Sequence, residues 1–220
     1  MAVVAKGAKR PTSQLRAVLL PFQRLLAQLG KTPADETSEL HNLRHAEWAA
    51  GDTLLDAPAM LPAFYLNELL LKMLARHDPH EQLFDAYAET LSMLARAAEG
   101  AEAIALRAFE LCLLRQVGLL PDLSQVTLTA RAVDDADLYS LRPEVGLTLQ
   151  PQGLPGSVWT ALEAALAHGS MGALHQACTP VVAALRGPLR AWLHYHLGHS
   201  SLRTREVWRD MQRLAESPTP

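Results

Sequence analysis

The spacing of apolar residues along the chain changes near residue 56. Before that point, short apolar stretches are separated by glycine, proline and basic residues, a pattern typical of strands and turns. The predicted strands cover residues 2–5, 18–29 and 38–48. Pro21 interrupts the second of them and argues against a helix there, because proline lacks the backbone N–H that a helix interior requires. The first quarter of the chain is therefore predicted to be a small β-module.

From Pro62 onwards the apolar residues recur at helical spacing. Proline suits the first position of a helix, and the following apolar residues cover most of the helix surface, which predicts a buried central helix. Asp78 is the predicted N-cap of the next helix, followed by Pro79 and the capping-box residue Glu81. This second helix is expected to end near Gly100.

The second half of the chain combines further helices with one strand-like segment. Residues 126–149 break the helical spacing, and residues 138–149 predict a β-hairpin with its turn between Arg142 and Gly146. Thr204 is the predicted N-cap of a final helix. The other predicted helices span about residues 102–117, 155–168 and 173–197.

Basic residues are concentrated at the N-terminus, although the formal net charge of the chain is −3. Residues 1–34 contain no acidic residue. Their basic residues are Lys6, Lys9, Arg10, Arg16, Arg24 and Lys31. Such a segment can bind phosphates whatever the net charge of the chain. A solvated basic face without a partner gives the same pattern, so charge alone leaves both interpretations open.

Composition excludes several classes of protein. A hydrophobic content of 49% predicts a folded core, and no run of 18 apolar residues predicts a membrane span. Early basic residues interrupt any apolar signal region, and only Cys112 and Cys178 are available as thiols, so we expect a cytoplasmic protein without disulfides. No catalytic triad order, phosphate-binding loop or metal-ligand spacing is present. The expectation is a non-enzyme without cofactor or metal.

Several short segments, taken together, resemble the bacterial RecO family of recombination mediators. They follow the family's order and extend over nearly the whole chain. The segments are VAKGAKR at 4–10, LPFQ at 20–23, FYLNELL at 64–70, FEL at 109–111 with Gly118 and PDL at 121–123, and LG at 197–198 with SLRTRE at 201–206.

The resemblance implies an α+β fold in two parts. Residues 1–55 correspond to a partial OB-fold DNA-binding module, and residues 56–220 to a helical domain with a hairpin insertion at about 124–150. The family's barrel has five strands, and Met1 falls where the third should start. We therefore expect either a start codon further upstream, which we favour, or an open barrel. Some members bind zinc through cysteines in the insertion, which has none here.

The resemblance also implies a function. Family members bind single- and double-stranded DNA, anneal complementary strands, and contact the C-terminal tail of single-stranded-DNA-binding protein. With RecR they assist RecA loading in gap repair. The expected protein is thus a nucleoid-associated mediator rather than an enzyme. The alternative is a helical protein-interaction module that binds little DNA because its barrel is incomplete.

The DNA-binding residues predicted from charge and resemblance are Lys6, Lys9, Arg10, Arg16, Arg24, Lys31, Arg203 and Arg205. Binding at the N-terminus should be mainly electrostatic, because Phe22 is expected in the core rather than on a stacking surface. The arginines of the last helix either bind DNA or form a solvated face.

The third helix carries the predicted partner site. The resemblance points to Arg107 as the contact for the acidic tail, and we expect Leu111 and Leu114 to accept its apolar side chain. A surface arginine packed along its own helix is the alternative. Glu110, at the margin of the core stripe, is expected to pair with an arginine from another helix.

Overall fold

The computed structural model describes residues 2–30, 40–49, 54–98, 100–198 and 202–216, and the chain divides into two compact units. Unit 1 comprises Met1–Asp56 and Ala75–Pro79. Unit 2 comprises Ala57–Leu74 and His80–Pro220. Residues 75–79, predicted within the helical domain, thus belong to the first unit.

Unit 1 is built around a three-stranded mixed sheet with the order β1-β3-β2. Strand β3 lies in the centre, parallel to β1 and antiparallel to β2. Three strands among the described residues of this unit do not confirm the predicted OB-fold. The elements are β1 (Ala2–Val4), helix α1 (Gln14–Val18), β2 (Leu25–Leu29) and β3 (Leu40–Trp48).

The second strand of unit 1 is shorter than the apolar pattern predicts. Val18 ends the helix α1 instead of starting a strand, and Phe22 adopts a left-handed backbone conformation with φ of 65°. The chain turns through residues 21–22 and becomes extended only at Leu25. Prediction of one strand over residues 18–29 was wrong because apolar spacing does not reveal the turn.

Few apolar side chains in the described part of unit 1 are fully buried. Ala46 is buried, whereas Leu26 on β2 is 60% exposed and Leu40 at the start of β3 is half exposed. Burial of apolar surface is the main favourable term in folding, so a unit with so little of it is held chiefly by strand pairing.

Unit 2 contains the remaining helices of the described chain. They are α2 (Ala57–Met73), α3 (Glu81–Arg96), α4 (Glu102–Gln116), α5 (Gly156–His168), α6 (Met171–Cys178), α7 (Val182–Leu197) and α8 (Arg203–Glu216). In the described part of the chain, none of the helices combines the length and the apolar character that crossing a bilayer requires.

Three helix boundaries differ from the sequence predictions. Helix α2 begins five residues before Pro62, so this proline lies inside the helix and not at its first position. Because proline has no backbone N–H, the carbonyl at position 58 does not receive the usual helical hydrogen bond. The predicted N-cap Asp78 belongs to unit 1, and the residue before α3 is His80, which makes no side-chain capping hydrogen bond. The predicted helix over 173–197 is two helices separated by the 3-10 turn Thr179–Val181, where Pro180 lacks an amide donor.

Helix α4 lies in the centre of unit 2 and packs against the helices α2, α3, α5, α6 and α7. Phe109 and Leu113 are fully buried on one side of the helix. Leu111 and Leu114, on another side of the helix, are buried as well. The helix is therefore enclosed almost all round rather than along one stripe.

The predicted hairpin in residues 138–149 is confirmed, with Leu141 of β6 opposite Leu147 of β7. The strands of this region are β4 (Gln125–Val126), β5 (Arg131–Ala132), β6 (Leu138–Arg142), β7 (Gly146–Leu149) and β8 (Leu154–Pro155). The hairpin is anchored by hydrogen bonds: the backbone N–H of Leu147 donates to Thr127 Oγ1 at 2.8 Å, and buried Trp159 donates to the carbonyl of Tyr139 at 3.0 Å.

Candidate nucleic-acid interface

Lys6, Lys9 and Arg10 lie on consecutive tight turns between β1 and α1. Gly7 permits the first turn with φ of 78°, and the N–H of Arg10 donates to the carbonyl of Gly7 at 3.0 Å. All three basic side chains are exposed. The turns therefore present three cations to solvent within five residues.

Two further predicted residues lie in the same unit. Arg16 on α1 is exposed, and together with Lys9 it lines a shallow depression whose other walls are Ala8 and Leu19. Arg24, just before β2, is also exposed. Lys31 lies outside the described residues. The fold thus brings Lys9 and Arg16, seven residues apart in sequence, to one surface feature.

The basic segment contains no carboxylate that could neutralise it from within. Residues 2–30 have no acidic side chain, and Glu47 on β3 lies 3.7 Å from His45 Nε2. Exposed cations attract polyanions through charge alone and release the counterions held by phosphates. The surface formed by Lys6, Lys9, Arg10, Arg16 and Arg24, called here the unit 1 basic surface, therefore suits a phosphate backbone of any sequence.

Trp48 is an aromatic residue of unit 1 to which sequence reasoning gave no role. Its side chain is 51% exposed at the end of β3, and its indole N–H donates to the carbonyl of Val18 at 2.9 Å. The hydrogen bond fixes the ring while half of its surface stays accessible, as a stacking platform for a nucleic-acid base requires. Phe22, expected in the core, is only partly buried, because its left-handed turn keeps it at the surface.

Arg44 is a second residue that the prediction missed. It is exposed on β3, four residues before Trp48. The register between β2 and β3 shifts at this point: Gln28 is opposite His45 and Leu29 is opposite Leu43, so Arg44 is the extra residue of an irregularity in the strand.

Arg205, predicted to bind DNA, has a structural role in unit 2. Its guanidinium donates to the Tyr65 hydroxyl at 3.1 Å and lies 5.4 Å from the centre of the Tyr65 ring. The side chain is partly buried, so little of its charge is available to a ligand. Arg203 is exposed, and its contact with DNA stays a prediction.

The predicted partner site on α4 is organised differently from the expectation. Arg107 Nη2 lies 2.7 Å from Glu110 Oε1, and its side chain is only 11% exposed. The Tyr65 hydroxyl donates to the same oxygen at 2.6 Å. Glu110 therefore pairs with an arginine of its own helix, not of another one, because a spacing of three residues places both on one side of α4.

Leu111 and Leu114 offer no exposed apolar surface beside Arg107. Both are fully buried, since the surrounding helices enclose α4. The expectation that they receive an apolar side chain of a partner was wrong for this reason. Within the described part of the chain, the α4 site is a buried ion pair with one tyrosine attached.

Burial raises the pKa of Glu110, and the charge of Arg107, the Tyr65 hydrogen bond and the charge of Arg205 only partly oppose it. Its second oxygen, Oε2, is buried without a hydrogen-bond partner among the described residues. Burial likewise raises the pKa of Tyr65, with Glu110 adding to the effect. The Tyr65 hydroxyl thus stays protonated and acts as a donor to the carboxylate.

Glu68 of α2 holds the start of α8. Its carboxylate accepts the N–H groups of Arg203 at 2.8 Å and Thr204 at 3.0 Å, and the Thr204 hydroxyl at 2.7 Å. Lys72 Nζ lies 3.3 Å from the same carboxylate. Thr204 was predicted as the N-cap, but the cap comes from Glu68, because a carboxylate can accept several first-turn amides at once.

Comparison with known proteins gives one consistent family. The model of the family described as "Recombination protein O C terminal" matches residues 54–206. The DNA repair protein RecO of Verminephrobacter eiseniae is 44% identical over 219 residues, covering 97% of this chain and 86% of the relative. The protein of the same name from Variovorax paradoxus is 45% identical over 226 residues, with coverages of 97% and 86%. That from Albidiferax ferrireducens is 42% identical over 220 residues, with coverages of 98% and 86%.

Proposed function

The chain belongs to the RecO family of DNA repair proteins, and from this premise we propose that it binds single- and double-stranded DNA and anneals complementary strands without catalysing a reaction. In this proposal it assists RecA loading in recombinational repair. The family resemblance supports the annealing and loading roles, and the unit 1 basic surface supports the binding of DNA.

The single observation that carries DNA binding is the exposure of the unit 1 basic surface. Its cations lie on turns and on α1, in a segment without acidic residues. Phosphate contacts of this kind are independent of base sequence, as strand annealing requires. Trp48 would add base stacking, which every base can provide.

The proposed partners are RecR and the C-terminal tail of single-stranded-DNA-binding protein, and the proposed place of action is the nucleoid in the cytoplasm. These partners rest on the family resemblance. The contact between Arg107 and the tail stays a prediction. The guanidinium of Arg107 already pairs with Glu110, so only its small exposed part could contact the tail.

A second candidate is a helical interaction module with little affinity for DNA. The observation that favours it is the small sheet of unit 1, where three strands are described and Leu26 remains mostly exposed. A small sheet with little buried apolar surface fixes the positions of its basic residues less firmly than a closed barrel would.

Fluorescence anisotropy of a labelled single-stranded oligonucleotide, titrated at several salt concentrations, separates the two candidates. The variant Lys6→Ala/Lys9→Ala/Arg10→Ala should lower the magnitude of the log–log salt slope by about 2, since each lost single-strand phosphate contact removes about 0.7. The matched control is Arg96→Ala/Arg131→Ala/Arg142→Ala, which removes three exposed charges from unit 2. Undetectable binding by the unaltered protein at low salt would contradict the DNA proposal.

The tail contact is tested with an acidic peptide that ends in phenylalanine. Arg107→Ala and Arg107→Lys are compared, with thermal unfolding measured in parallel because Arg107 also compensates Glu110. Weaker peptide binding by a folded Arg107→Lys, with unchanged DNA affinity, supports the assignment, because lysine keeps the charge but loses the planar guanidinium fork. Equal peptide affinity removes Arg107 from the proposal.

A further inference from the structure

A second long segment of the chain is free of acidic residues. From Ala164 to Arg205 the sequence contains no aspartate or glutamate, between Glu163 and Glu206. This segment includes all of α6 and α7. Four arginines lie within it, two of them on α7. The N-terminal segment without acidic residues, 1–34, is shorter than this one. In a chain of net charge −3, the absence of acidic residues from 164 to 205 is therefore at least as unusual.

Helix α7 presents its basic residues on one face. Arg186, Arg190 and His194 are each four residues apart and all exposed. Residues four apart on a helix are neighbours on its surface, and their backbone positions are separated by about 6 Å along the axis. We call these three residues the α7 face. Two of its members carry a full charge at neutral pH.

The opposite side of α7 is firmly packed in unit 2. Leu185, Leu189 and Leu193 are fully buried, and the indole N–H of Trp192 donates to the carbonyl of Leu119 at 2.9 Å. The helix is therefore a fixed support. Because the backbone of α7 is already ordered, a ligand that binds to the α7 face does not have to order the main chain.

Arg186, Arg190 and His194 make no ion pair or hydrogen bond with another side chain in the described ranges. The nearest acid before them in sequence, Glu163, is already engaged: it lies 2.5 Å from Arg115 Nη2 and accepts the N–H of Leu123 at 2.8 Å. The α7 face thus carries two uncompensated arginines and one histidine on a rigid helix.

The residues between these cations decide what the face can bind. Ala183, Gly187 and Ala191 are small and exposed, and the half-exposed Tyr195 lies only at the margin of the face. A protein interface needs large apolar or aromatic side chains at its centre. A phosphate backbone needs only spaced cations, and side chains whose backbone positions are about 6 Å apart can each reach a phosphate.

We propose that the α7 face is a second DNA-binding site, which holds the sugar-phosphate backbone of another strand through Arg186, Arg190 and His194. This inference rests on the proposed function, DNA binding by the unit 1 basic surface. A protein that anneals strands must hold two of them, and one cationic surface on each unit of the chain meets that need.

The test measures whether the chain, once bound to one DNA strand, captures a second. A single-stranded oligonucleotide is immobilised and loaded with the full chain, and capture of a second, non-complementary labelled oligonucleotide is measured at several salt concentrations. Arg186→Ala/Arg190→Ala should load on the first strand almost normally. Its capture of the second strand should weaken, with the salt slope reduced by about 1.4 for two lost contacts. The matched control is Arg131→Ala/Arg142→Ala, which removes the same charge from the strands β5 and β6.

The outcomes distinguish this inference from the proposed function. No binding of the first strand by the unaltered protein contradicts both. Normal loading with second-strand capture equal to that of the control overturns the α7 face alone. A poly-glutamate peptide provides the remaining comparison: if Arg186→Ala/Arg190→Ala loses peptide binding but keeps second-strand capture, the face takes an acidic protein and the inference is wrong.

Discussion

Glu68 caps the helix α8 from a neighbouring helix, with its carboxylate 3.0 Å from the backbone nitrogen of Thr204. The helix is held at this end by polar contacts, since Arg205 donates to Tyr65 nearby. Beyond its first turn, Trp208 and Met211 are about half exposed. The first turn of α8 is therefore attached to α2 by polar contacts, with the Glu68 carboxylate accepting its backbone amides.

Glu68→Gln should loosen α8. A glutamine keeps one acceptor oxygen but loses the charge that favours a helix N-terminus, so we expect a loss of about 1–2 kcal/mol in the free energy of unfolding. Hydrogen exchange of the α8 amides measures the effect directly. Glu206→Gln, in the exposed first turn of α8, is the control and should change protection much less. Equal protection in both variants would contradict the capping role.

The carboxylate of Glu68 should also make the free energy of unfolding depend on pH. Burial alone would raise the pKa of Glu68, but the hydrogen bonds from Thr204, Arg203 and Lys72 lower it from 4.5 to about 2. A depressed pKa in the folded state stabilises the fold above about pH 4.5, and this contribution is lost as the pH falls toward 2. The difference in unfolding free energy between the unaltered protein and Glu68→Gln should therefore shrink over that range. A constant difference would show that Glu68 is not titrating as proposed.

Arg107→Ala should be strongly destabilising. It leaves the buried carboxylate of Glu110 without its cation, and removal of one partner of a buried pair costs about 3–5 kcal/mol. The double variant Arg107→Met/Glu110→Leu removes both charges and should recover much of the loss. Chemical denaturation of the single and double variants measures this coupling. If the double variant were as unstable as Arg107→Ala, the pair would stabilise the fold through the packing of its side chains and not through charge compensation.

Sequence reasoning found what the local pattern encodes. The hairpin turn from Arg142 to Gly146 and the end of α4 before Gly118 follow from glycine, proline and apolar spacing, which act over a few residues. Lys6, Lys9 and Arg10 lie beside Gly7 and Pro11, residues typical of turns, and turn residues project into solvent, as these three do. These features depend on neighbours in sequence and so could be predicted.

What sequence reasoning missed depends on distant neighbours. Leu111 and Leu114 look exposed on a helical wheel, but helices far away in sequence enclose α4 and bury them. The cap of α8 comes from Glu68, more than 130 residues earlier, and no local signal reveals such a partner. The exposure of Trp48 likewise depends on which strands cover β3.

Trp48→Ala should weaken binding of single-stranded DNA by about 1–3 kcal/mol if a base stacks on the indole. Trp48→Phe keeps an aromatic face and should lose less, although it removes the hydrogen bond to the carbonyl of Val18. Anisotropy titration with a mixed-sequence oligonucleotide measures both. Trp208→Ala, equally exposed on α8, is the matched control. The stacking assignment fails if Trp48→Ala binds like the control.

Gly146→Ala should destabilise the hairpin. Gly146 has φ of 83°, a conformation that alanine rarely adopts, and an added Cβ would lie against the side chain of Thr127, whose Oγ1 receives the N–H of Leu147. The methyl group must therefore displace the anchor between the hairpin and the segment after β4. We expect a loss of more than about 1 kcal/mol, measured by chemical denaturation.

Gly172→Ala is the informative comparison for this prediction. Gly172 lies on α6 with a helical backbone, and an added Cβ would meet only Ser170 Oγ, at an ordinary contact distance of 3.6 Å. Alanine there should stabilise the protein by about 0.5–1 kcal/mol, because it restricts the unfolded chain and suits a helix. Opposite signs for the two substitutions would show that the fold requires glycine at the hairpin position and not at the helical one. A stabilising Gly146→Ala would mean that the contact with Thr127 can relax without cost.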